Sequence, residues 1–597
     1  MFSKVLIANR GEIAVRIIRA CEELGVATVA VYSELDRDAI HVQRADEAYL
    51  LGPGPASESY LSIEKLLDAV ERSGAEAVHP GYGFLAENAA FAKALEDKGI
   101  TFIGPPASAI DAMGSKTKAR ELMAKAGVPI VPGTTEPVET IEDARKVIED
   151  TIGYPVAVKA AGGGGGKGFR VALTEDKLQD AFEGAAREGE KFFGDATVYL
   201  ERYLPDPRHV EVQVLADTQG NVIHLGERDC SLQRRHQKLI EEAPAPAVDE
   251  ELRARIGKIA TEAAAAVNYT GAGTIEGLLQ DGEYFFLEMN TRVQVEHCVT
   301  EMVTGLDIVK EGIRVAAGEP LSVSQEDVVL RGHAIECRIN AEDASKNFAP
   351  APGTIGAYRE PAGPGVRVDS GVGPGSEISP MYDPMVAKLI VWDSDREQAT
   401  ARMVRALREY EIGDLKTLLP FHEAILQTKQ WANAETCRDL IEDRKWLKQL
   451  AFEKPAPAGE DDSEGEKVEQ TYTVEVSGKR FDVKVIGPPF GAGGGALNGA
   501  APAGTARKPP RRERAGGGGA SGGGDTLVSP LQGTVLKVAV EQGATVDEGA
   551  LVCVIEAMKM ENEITAHKGG KVSELPIAVG ASVASGDTLA VISSDGA

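Results

Sequence analysis

Between residues 4 and 32 the sequence reads KVLIANRGEIAVRIIRACEELGVATVAVY, and this stretch decides the fold class. Residues 4–8, with an apolar run at 5–8, predict a buried strand, and residues 26–32 predict a second one. The apolar residues between them recur at helical spacing up to Gly25, which can cap the helix. Strand, helix and strand in this order predict a parallel sheet with helices on its faces. The turn at 9–12 lacks G-x-G-x-x-G, so a structural Rossmann-like domain is favoured over a dinucleotide site.

Length and composition limit the classes of protein to consider. The 597 residues suffice for about four domains. The net charge of −28 argues against general binding to nucleic acids or anionic membranes. No apolar run approaches the ~18 residues of a membrane span, and the first one is too short for a secretory signal. Six cysteines without a CxxC pair predict reduced thiols and a cytoplasmic protein.

Two linkers divide the chain. Residues 453–467 contain two prolines and an acidic run, and residues 491–524 contain thirteen glycines in 34 positions. Such segments cannot bury enough apolar surface to offset the entropy of ordering them, so we expect flexible connections. Between them, residues 471–485 alternate between polar and apolar types, which predicts a small hairpin with Gly478 at its turn.

The last part of the chain contains an internal repeat with an offset of 37 residues. Apolar residues at period two and glycine turns recur in the two copies, for example from Gly533 to Gly549 and again from Gly570 to Gly586. This pattern predicts two similar β-halves that close on one core. Between the halves lies EAMKMEN at 556–562, so Lys559 is expected at an exposed hairpin tip.

Lys559 and its methionine neighbours resemble the biotinyl carrier domain of biotin-dependent carboxylases. The resemblance implies that a biotin protein ligase joins biotin covalently to Lys559. The alternative is a lipoyl domain, whose lysine usually follows aspartate and lacks the flanking methionines. A biotin on a flexible tether can visit two active sites, because the linker supplies a high effective concentration.

Residues 1–447 resemble biotin carboxylase along their whole length. The motifs that carry the resemblance are NRGEIA at 9–14, HPGYGF at 79–84, the glycines at 162–168, RDCSLQRRHQK at 228–238 and EMNTRVQVEH at 288–297. The resemblance implies an α/β protein with a Rossmann-like (pre-ATP-grasp) domain, an ATP-grasp domain and a mixed C-terminal domain, followed by a small all-β biotinyl, lipoyl-like sandwich on a flexible linker.

The resemblance, together with the linkers, implies the domain boundaries. We expect the Rossmann-like domain at 1–113, the ATP-grasp domain at 114–328 with its lid at about 130–205, the C-terminal domain at 329–447, an acidic linker at 453–467, a small β segment for possible subunit docking at 468–489, a glycine-rich linker at 491–524 and the carrier domain at 525–597.

The glycine run at 162–168 follows a predicted strand at 156–160. Its backbone N–H groups can approach phosphate closely, and a lid of this kind would protect a reactive intermediate from water. The family resemblance implies ATP contacts from residues of several segments, namely Lys116, Lys159, Gly164, Gly165, Gly166, Glu201, Leu204, His209, Gln233, His236, Glu276 and Glu288.

The metal ligands are predicted from strand geometry. Glu288 and Asn290 lie two residues apart on the strand at 283–290, so both face one side and suit Mg²⁺ or Mn²⁺. Glu276 lies on the preceding strand. A two-residue turn at Asp281-Gly282 would oppose Glu276 to Leu287, whereas a three-residue loop or a bulge would oppose it to Glu288. We predict one of the latter two.

The resemblance also assigns the chemical steps. Lys238, Arg292, Gln294, Val295 and Glu296 match the bicarbonate pocket. Glu296 is the expected base. Arg292 and Lys238 are the expected catalytic residues beside it, and their charges would favour its ionised form.

Biotin is expected near Tyr82, Gly83 and Arg338, and Arg338 would stabilise the oxyanion of deprotonated biotin. Cys230 lies within a motif, but no step requires a thiol there, so we interpret it as packing. Cys298 stands where a proline is common in the family.

The resemblance implies a ligase that carboxylates its own biotin through carboxyphosphate, with ATP and bicarbonate. Carboxybiotin would then pass to a separate carboxyltransferase β-subunit in a hetero-oligomer, because the sequence contains no second large α/β region. Acetyl-CoA, as in fatty acid biosynthesis, and propionyl-CoA are the expected acceptors, and methylcrotonyl-CoA is an alternative. Two other classes stay open: an ATP-grasp ligase with Lys559 lipoylated or unmodified, and a scaffold that has lost catalysis.

Overall fold

The computed structural model describes most of the chain. The described residues are 1–451 (without 115, 135, 161–167, 194–195 and 236), 468–476, 479–487, 525–529, 533–557, 560–583 and 586–593. Both predicted linkers, 453–467 and 491–524, therefore lie outside the described residues.

The N-terminal region forms a five-stranded parallel sheet in the order β3-β2-β1-β4-β5. The predicted strand–helix–strand unit is confirmed, and Gly25 ends α1 with a φ of +71°. The elements are β1 (Lys4–Ile7), α1 (Gly11–Leu24), β2 (Ala27–Ser33), α2 (Ile40–Arg44), β3 (Glu47–Gly52), α3 (Ile63–Ser73), β4 (Ala77–His79), α4 (Ala89–Glu96), β5 (Thr101–Phe102) and α5 (Ala107–Gly114).

A small antiparallel sheet in the order β7-β6-β8 follows, with its own apolar core. The strand predicted at 156–160 is β6, and the glycine run lies between β6 and β7 in sequence. The elements are α6 (Lys116–Lys125), α7 (Ile141–Val147), β6 (Val156–Ala160), β7 (Phe169–Ala172), α8 (Leu178–Phe193) and β8 (Val198–Arg202).

An eight-stranded antiparallel sheet in the order β13-β12-β9-β10-β11-β14-β21-β19 carries seven of the predicted site residues, namely His209, Gln233, Lys238, Glu276, Glu288, Asn290 and Arg338. It crosses the predicted boundary at 328/329, because β11 pairs with β14. Its strands and the helices between them are β9 (Arg208–Ala216), β10 (Val222–Arg234), β11 (Gln237–Ala243), α9 (Glu250–Ala265), β12 (Gly271–Gln280), β13 (Glu283–Asn290), α10 (His297–Thr304), α11 (Ile308–Ala316), β14 (His333–Asn340), β19 (Val366–Ser370) and β21 (Met385–Asp393).

Short strands and helices complete this region and bury one face of β14 and β21. They are β15 (Glu342–Asp343), β16 (Ala349–Pro350), β17 (Gly353–Thr354), β18 (Tyr358–Arg359), β20 (Glu377–Ile378), α12 (Arg396–Glu409), β22 (Glu411–Ile412), α13 (Leu419–Leu426), α14 (Lys429–Ala432), α15 (Arg438–Glu442) and α16 (Arg444–Lys448).

The predicted hairpin is present as β23 (Val468–Val476) and β24 (Lys479–Gly487), which pair antiparallel in full register. It belongs to a separate unit of the chain. Gly478, predicted at the turn, lies outside the described residues.

The C-terminal repeat forms two four-stranded sheets, β25-β32-β30-β27 and β29-β28-β26-β31, around one apolar core. The predicted repeat is confirmed, since β26, β27 and β28 recur as β30, β31 and β32 at an offset of 37 residues. The strands are β25 (Thr526–Val528), β26 (Gly533–Val538), β27 (Thr545–Val546), β28 (Leu551–Ala557), β29 (Met560–Thr565), β30 (Gly570–Glu574), β31 (Ser582–Val583) and β32 (Thr588–Ser593).

In the described parts of the chain, no helix combines the length and the apolar character that crossing a bilayer requires.

Candidate active site

The hairpin of β12 and β13 brings the predicted metal ligands to one face of the sheet. Its turn is the dipeptide Asp281-Gly282, with φ angles of +53° and +78°. This tight turn alone would oppose Glu276 to Leu287. A bulge at Leu287 shifts the register by one residue, so Glu276 pairs with Glu288. The predicted bulge is confirmed, and the alternative of a three-residue loop is wrong.

These ligands suit a hard divalent cation. Glu276, Glu288 and Asn290 present two carboxylates and an amide on the same face. The Oδ1 atom of Asn290 accepts a hydrogen bond from Arg292 Nη2 at 2.8 Å and keeps a second lone pair. Oxygen donors of this kind are those that Mg²⁺ and Mn²⁺ prefer. The residues therefore fit the predicted metal.

Lys238 lies at the centre of a buried cluster of carboxylates. Its Nζ donates to Glu211 at 2.5 Å, to Glu296 at 2.6 Å and to Glu276 at 2.9 Å. Burial works to lower the pKa of Lys238, but the charges of Glu211 and Glu296 raise it well above its usual value. Lys238 therefore stays protonated. It contacts both the predicted base, Glu296, and a predicted metal ligand, Glu276.

Glu296 is held by two cations and is 2% exposed. Its Oε1 accepts from Lys238, and its Oε2 accepts from Arg338 Nη2 at 2.9 Å. Burial works to raise the pKa of Glu296, but Lys238, Arg338 and Arg228 together hold it well below its usual value. The carboxylate is therefore ionised and can accept a proton from a bound acid.

Arg338 links this cluster to a second buried carboxylate. Its Nε donates to Glu241 Oε1 at 2.5 Å. Burial raises the pKa of Glu241 to about 7, although the Arg338 charge opposes the rise. One edge of the Arg338 guanidinium is thus held by Glu241, and its Nη2 points to Glu296.

The predicted bicarbonate residues surround the same point. Arg292 donates through Nε to Glu87 at 2.9 Å and is one-fifth exposed. Gln294 donates to Glu276 Oε1 at 2.6 Å. The carbonyl of Val295 accepts from Lys388 Nζ at 2.9 Å. Arg292 and Gln294 thus lie beside the predicted metal ligands, where an anion could bridge them.

His209 and Gln233 join the cluster from the strands β9 and β10. His209 Nε2 lies 2.9 Å from Glu276 Oε2. Gln233 Nε2 lies 3.0 Å from His209 Nδ1 and donates to the carbonyl of Cys230 at 2.7 Å. Although burial works to lower the pKa of His209, Glu276 raises it.

A second group of predicted residues lies on the small sheet around β6 and β8. The Lys159 ammonium contacts the Glu201 carboxylate, which also accepts from Arg120 Nη1 at 3.0 Å. Leu204 packs against Val131 and Phe285. The Lys159 cation suits the predicted phosphate contact. The Glu201 carboxylate and the apolar Leu204 suit the predicted adenine contacts.

Tyr82 and Gly83 lie near the N-terminal end of α1. The Tyr82 hydroxyl bonds to the Glu12 carboxylate, and burial raises the pKa of Tyr82 well above its usual value. Gly83 is exposed and has a φ of +68°.

Several predicted residues lie outside the described part of the chain: Gly164, Gly165, Gly166, His236, Lys559 and the side chain of Lys116. For Lys559, only the flanking strands are described, and β28 and β29 pair up to Ala557 and Met560.

Sequence reasoning missed three acidic partners, of which Glu211 and Glu241 are buried and Glu87 is exposed. Glu211 binds Lys238 and also accepts from Arg228 Nε at 2.6 Å. Glu241 holds Arg338, and Glu87 holds Arg292. For Glu211 a signal existed, because the polar residues His209, Glu211 and Gln213 alternate with valines along one strand. The sequence pattern contained no comparable signal for Glu241 and Glu87.

Cys230 is fully buried within the same region. Burial, reinforced by the Glu211 charge, raises the pKa of its thiol well above the usual value. A protonated, buried thiol is a poor nucleophile, which agrees with the interpretation as packing.

Known families match the chain in four segments. Residues 1–110 match the N-terminal domain of biotin carboxylase, and residues 115–324 match the ATP-binding domain of the carbamoyl-phosphate synthase L chain. Residues 336–443 match the biotin carboxylase C-terminal domain, and residues 525–592 match a family described as biotin-requiring enzyme.

Individual relatives cover either the whole chain or its first three-quarters. The biotin-dependent acyl-coenzyme A carboxylase alpha3 subunit of Mycobacterium leprae is 46% identical and spans 99% of this chain and 98% of its own length. A pyruvate carboxylase subunit of Methanothermobacter thermautotrophicus is 54% identical over 74% of this chain and 90% of its own length.

Among solved structures, the biotin carboxylase domain of Hydrogenobacter thermophilus 2-oxoglutarate carboxylase, a dimer in complex with MgADP, ADP and bicarbonate, matches with a TM-score of 0.69 and 50% identity. That match covers 76% of this chain and all of that one.

Proposed function

Because the chain belongs to the biotin-dependent carboxylases, with biotin carboxylase and a biotinyl carrier domain in one polypeptide, we propose that it is the α-subunit of an acyl-CoA carboxylase. Biotin, ATP and Mg²⁺ are its cofactors, and carboxylation of biotin with ATP and bicarbonate is its first half-reaction. The acyl-CoA acceptor, the partner and the residue roles below are our proposals.

Bicarbonate binds, in this proposal, where Lys238, Arg292 and Gln294 converge with the Val295 backbone. The planar fork of Arg292 suits a small planar oxyanion, and Lys238 supplies a fixed charge. Mg²⁺ at Glu276, Glu288 and Asn290 would supply charge neutralisation for the nucleotide phosphates.

Glu296 takes the proton from bicarbonate, whose oxygen then attacks the γ-phosphorus of ATP to give carboxyphosphate and ADP. The support for this step is the ionised Glu296 carboxylate between Lys238 and Arg338 at 2.6 and 2.9 Å, and this is the observation that carries the proposal. Decomposition of carboxyphosphate gives CO₂ and phosphate. The phosphate takes the ureido proton of biotin, and the deprotonated nitrogen bonds to CO₂ to give carboxybiotin.

Arg338 then stabilises the negative charge that develops on the ureido oxygen. Its guanidinium is already oriented by Glu241 at 2.5 Å, so no reorganisation is needed when the charge appears. Lys159, Glu201 and Leu204, with Lys116 and Gly164 to Gly166, bind the nucleotide. Tyr82 and Gly83 line the biotin pocket.

The acceptor is proposed from the relative that spans the whole chain. The acyl-coenzyme A carboxylase subunit of M. leprae covers 99% of this chain, whereas the pyruvate and 2-oxoglutarate carboxylase relatives cover only about three-quarters of it. That shared part performs the first half-reaction, which does not involve the acceptor. We therefore propose acetyl-CoA or propionyl-CoA as the acceptor, with methylcrotonyl-CoA as the alternative, and a carboxyltransferase β-subunit for the second half-reaction.

The remaining regions take supporting roles. We propose that a biotin protein ligase modifies Lys559, that the linkers at 453–467 and 491–524 tether the carrier, and that the segment at 468–489 docks the partner. We also propose the domain boundaries given above and a cytoplasmic location, where ATP and bicarbonate are available.

The test is expression with the native partner, followed by a screen of acyl-CoA acceptors. ADP release should require bicarbonate together with biotin, either free or attached to Lys559, and the intact mass should show one biotin on Lys559. Carboxylation of acetyl-CoA or propionyl-CoA would support the acyl-CoA assignment. Carboxylation of pyruvate or 2-oxoglutarate alone would overturn it.

A further inference from the structure

Lys388 is a second buried cation beside Arg338, and none of the steps above uses it. It lies on β21 with no exposed surface, directly opposite Arg338 on β14 and Asp369 on β19. Opposite residues of neighbouring strands share a face of the sheet. Asp369, Lys388 and Arg338 therefore form a row across three strands, on the face that carries the proposed oxyanion-stabilising group.

The contacts of Lys388 lead to the bicarbonate-binding turn. Its Nζ donates to the carbonyl of Val295 at 2.9 Å and to Cys298 Sγ at 3.1 Å. The Val295 carbonyl belongs to the peptide that leads into Glu296. Because a peptide unit is planar, fixing this oxygen also fixes the orientation of the Glu296 amide.

The same ammonium leads to the biotin side of the site. Lys388 Nζ lies 3.4 Å from Glu12 Oε1, and this oxygen is the one that accepts the Tyr82 hydroxyl. Glu12 is buried and lies on α1, so the ion pair joins this N-terminal helix to the large sheet. A continuous series of polar contacts thus runs from the Val295 carbonyl through Lys388 and Glu12 to Tyr82.

We propose that Lys388 is a positioning residue that couples the bicarbonate-binding turn to the biotin-binding tyrosine. It acts through the Val295 carbonyl and Glu12 and does not itself touch a substrate. This inference rests on the proposed function, because it takes Val295 and Tyr82 as parts of the two binding pockets. A lysine that only stabilises the fold would change the amount of active enzyme and leave the Michaelis constants unchanged.

The test is the variant Lys388→Met in the full chain, assayed with free biotin. Loss of the ammonium leaves the Val295 carbonyl without this donor, so we expect the KM for bicarbonate to rise at least tenfold. The KM for ATP should stay within twofold, because Lys159 and Glu201 lie on another sheet. Lys416→Met is the matched control, since Lys416 is half-exposed and pairs with Asp343 outside the site.

A second variant, Glu12→Gln, tests the other half of the coupling. It keeps the shape of the side chain and removes the charge, so the KM for free biotin should rise about fivefold, with a smaller change for bicarbonate. The double variant should lose less than the product of the two single losses, because both interrupt one series of contacts.

The outcomes separate this inference from the proposed function. A folded Lys388→Met variant whose KM for bicarbonate is within twofold of the unaltered chain overturns the inference alone. If Lys388→Met does not fold, an unchanged KM for biotin in Glu12→Gln overturns it. Absence of bicarbonate-dependent ATP cleavage in the unaltered chain would overturn both.

Discussion

The carboxylase region and the carrier domain differ in the kind of side chain that they bury. The carboxylase region buries charges: Arg228 and Lys388 have no exposed surface, and Glu211, Glu241 and Glu336 are equally buried. In the described residues of 525–593, the core is apolar, and Ser529 is the one buried polar residue. In our proposal one interior performs the chemistry, whereas the other only supports a small sandwich.

This difference follows from what each region must hold in place. A charge that develops during a reaction is stabilised best by groups that are already oriented and shielded from water. Burying such groups is costly unless they are paired, which explains why Lys238 holds three carboxylates at once. In our proposal the carrier only has to present Lys559, for which an ordinary apolar core suffices.

The largest expected effect is the loss of one activity, which depends on the carrier domain, while the activity of the carboxylase region is retained. Lys559→Arg should abolish acyl-CoA carboxylation by the complete enzyme, because arginine cannot be biotinylated. Carboxylation of free biotin should remain nearly intact, since the buried cluster is untouched. The measurement is ADP release with free biotin beside product formation from acyl-CoA. Lys537→Arg, an exposed position on the same domain, is the control, and loss of both activities in Lys559→Arg would contradict the division.

The next effect is confined to the carboxylase region. Glu296→Ala removes the proposed base and leaves Lys238 and Arg338 without their shared partner, so ATP cleavage that depends on bicarbonate should fall about 10²–10⁴-fold. Nucleotide affinity should change little, and Lys559 should still be biotinylated. Glu411→Ala, at a half-exposed ion pair, is the control. A Glu296→Ala variant with more than a tenth of the normal rate would rule out the role of base.

A third effect concerns pH. His41 is fully buried, and burial lowers its pKa to about 4. Below about pH 6.5 the unfolded chain binds a proton that the folded chain does not, so the stability that His41 contributes is lost as the pH falls. The His41→Leu variant should therefore lose about 2 kcal/mol less stability between pH 7 and pH 5 than the unaltered chain.

The variant difference is the informative quantity, because Glu241 and Glu342 titrate near pH 7 in the opposite sense. Urea unfolding followed by tryptophan fluorescence reports only on the carboxylase region, since all three tryptophans, Trp392, Trp431 and Trp446, lie there. If the free energy of unfolding changes equally with pH in the two proteins, His41 is not a buried, uncharged side chain in the folded protein.

Local patterns predicted much of the fold and part of the site. The strand–helix–strand start, the repeat at 37 residues and the bulge opposite Glu276 follow from periodicity and from the demand that two carboxylates face one side. The pairing of β11 with β14 could not be predicted in this way, because it joins distant segments through backbone bonds.

The acidic residues that contact the site arginines could not be predicted, for the same reason. Glu241 contacts Arg338, which is 97 residues away in sequence, and Glu87 contacts Arg292, which is 205 away. Such pairs depend on the tertiary fold, and one sequence contains no local signal for them. Motifs identified the groups that we propose bind substrates, whereas the acidic residues that contact these groups become visible only in three dimensions.

The smallest expected effect uses a matched pair of buried cysteines. Cys230 lies in the charged interior and Cys553 in the apolar one, and neither has exposed surface. Cys230→Ala and Cys553→Ala should each cost about 1 kcal/mol of stability through lost packing. The kcat of Cys230→Ala for free biotin should stay within threefold, because Gln233 donates to the Cys230 backbone carbonyl and not to the thiol. A tenfold loss of kcat in a folded Cys230→Ala variant would mean that the charged interior needs the thiol, and that packing alone does not explain its place there.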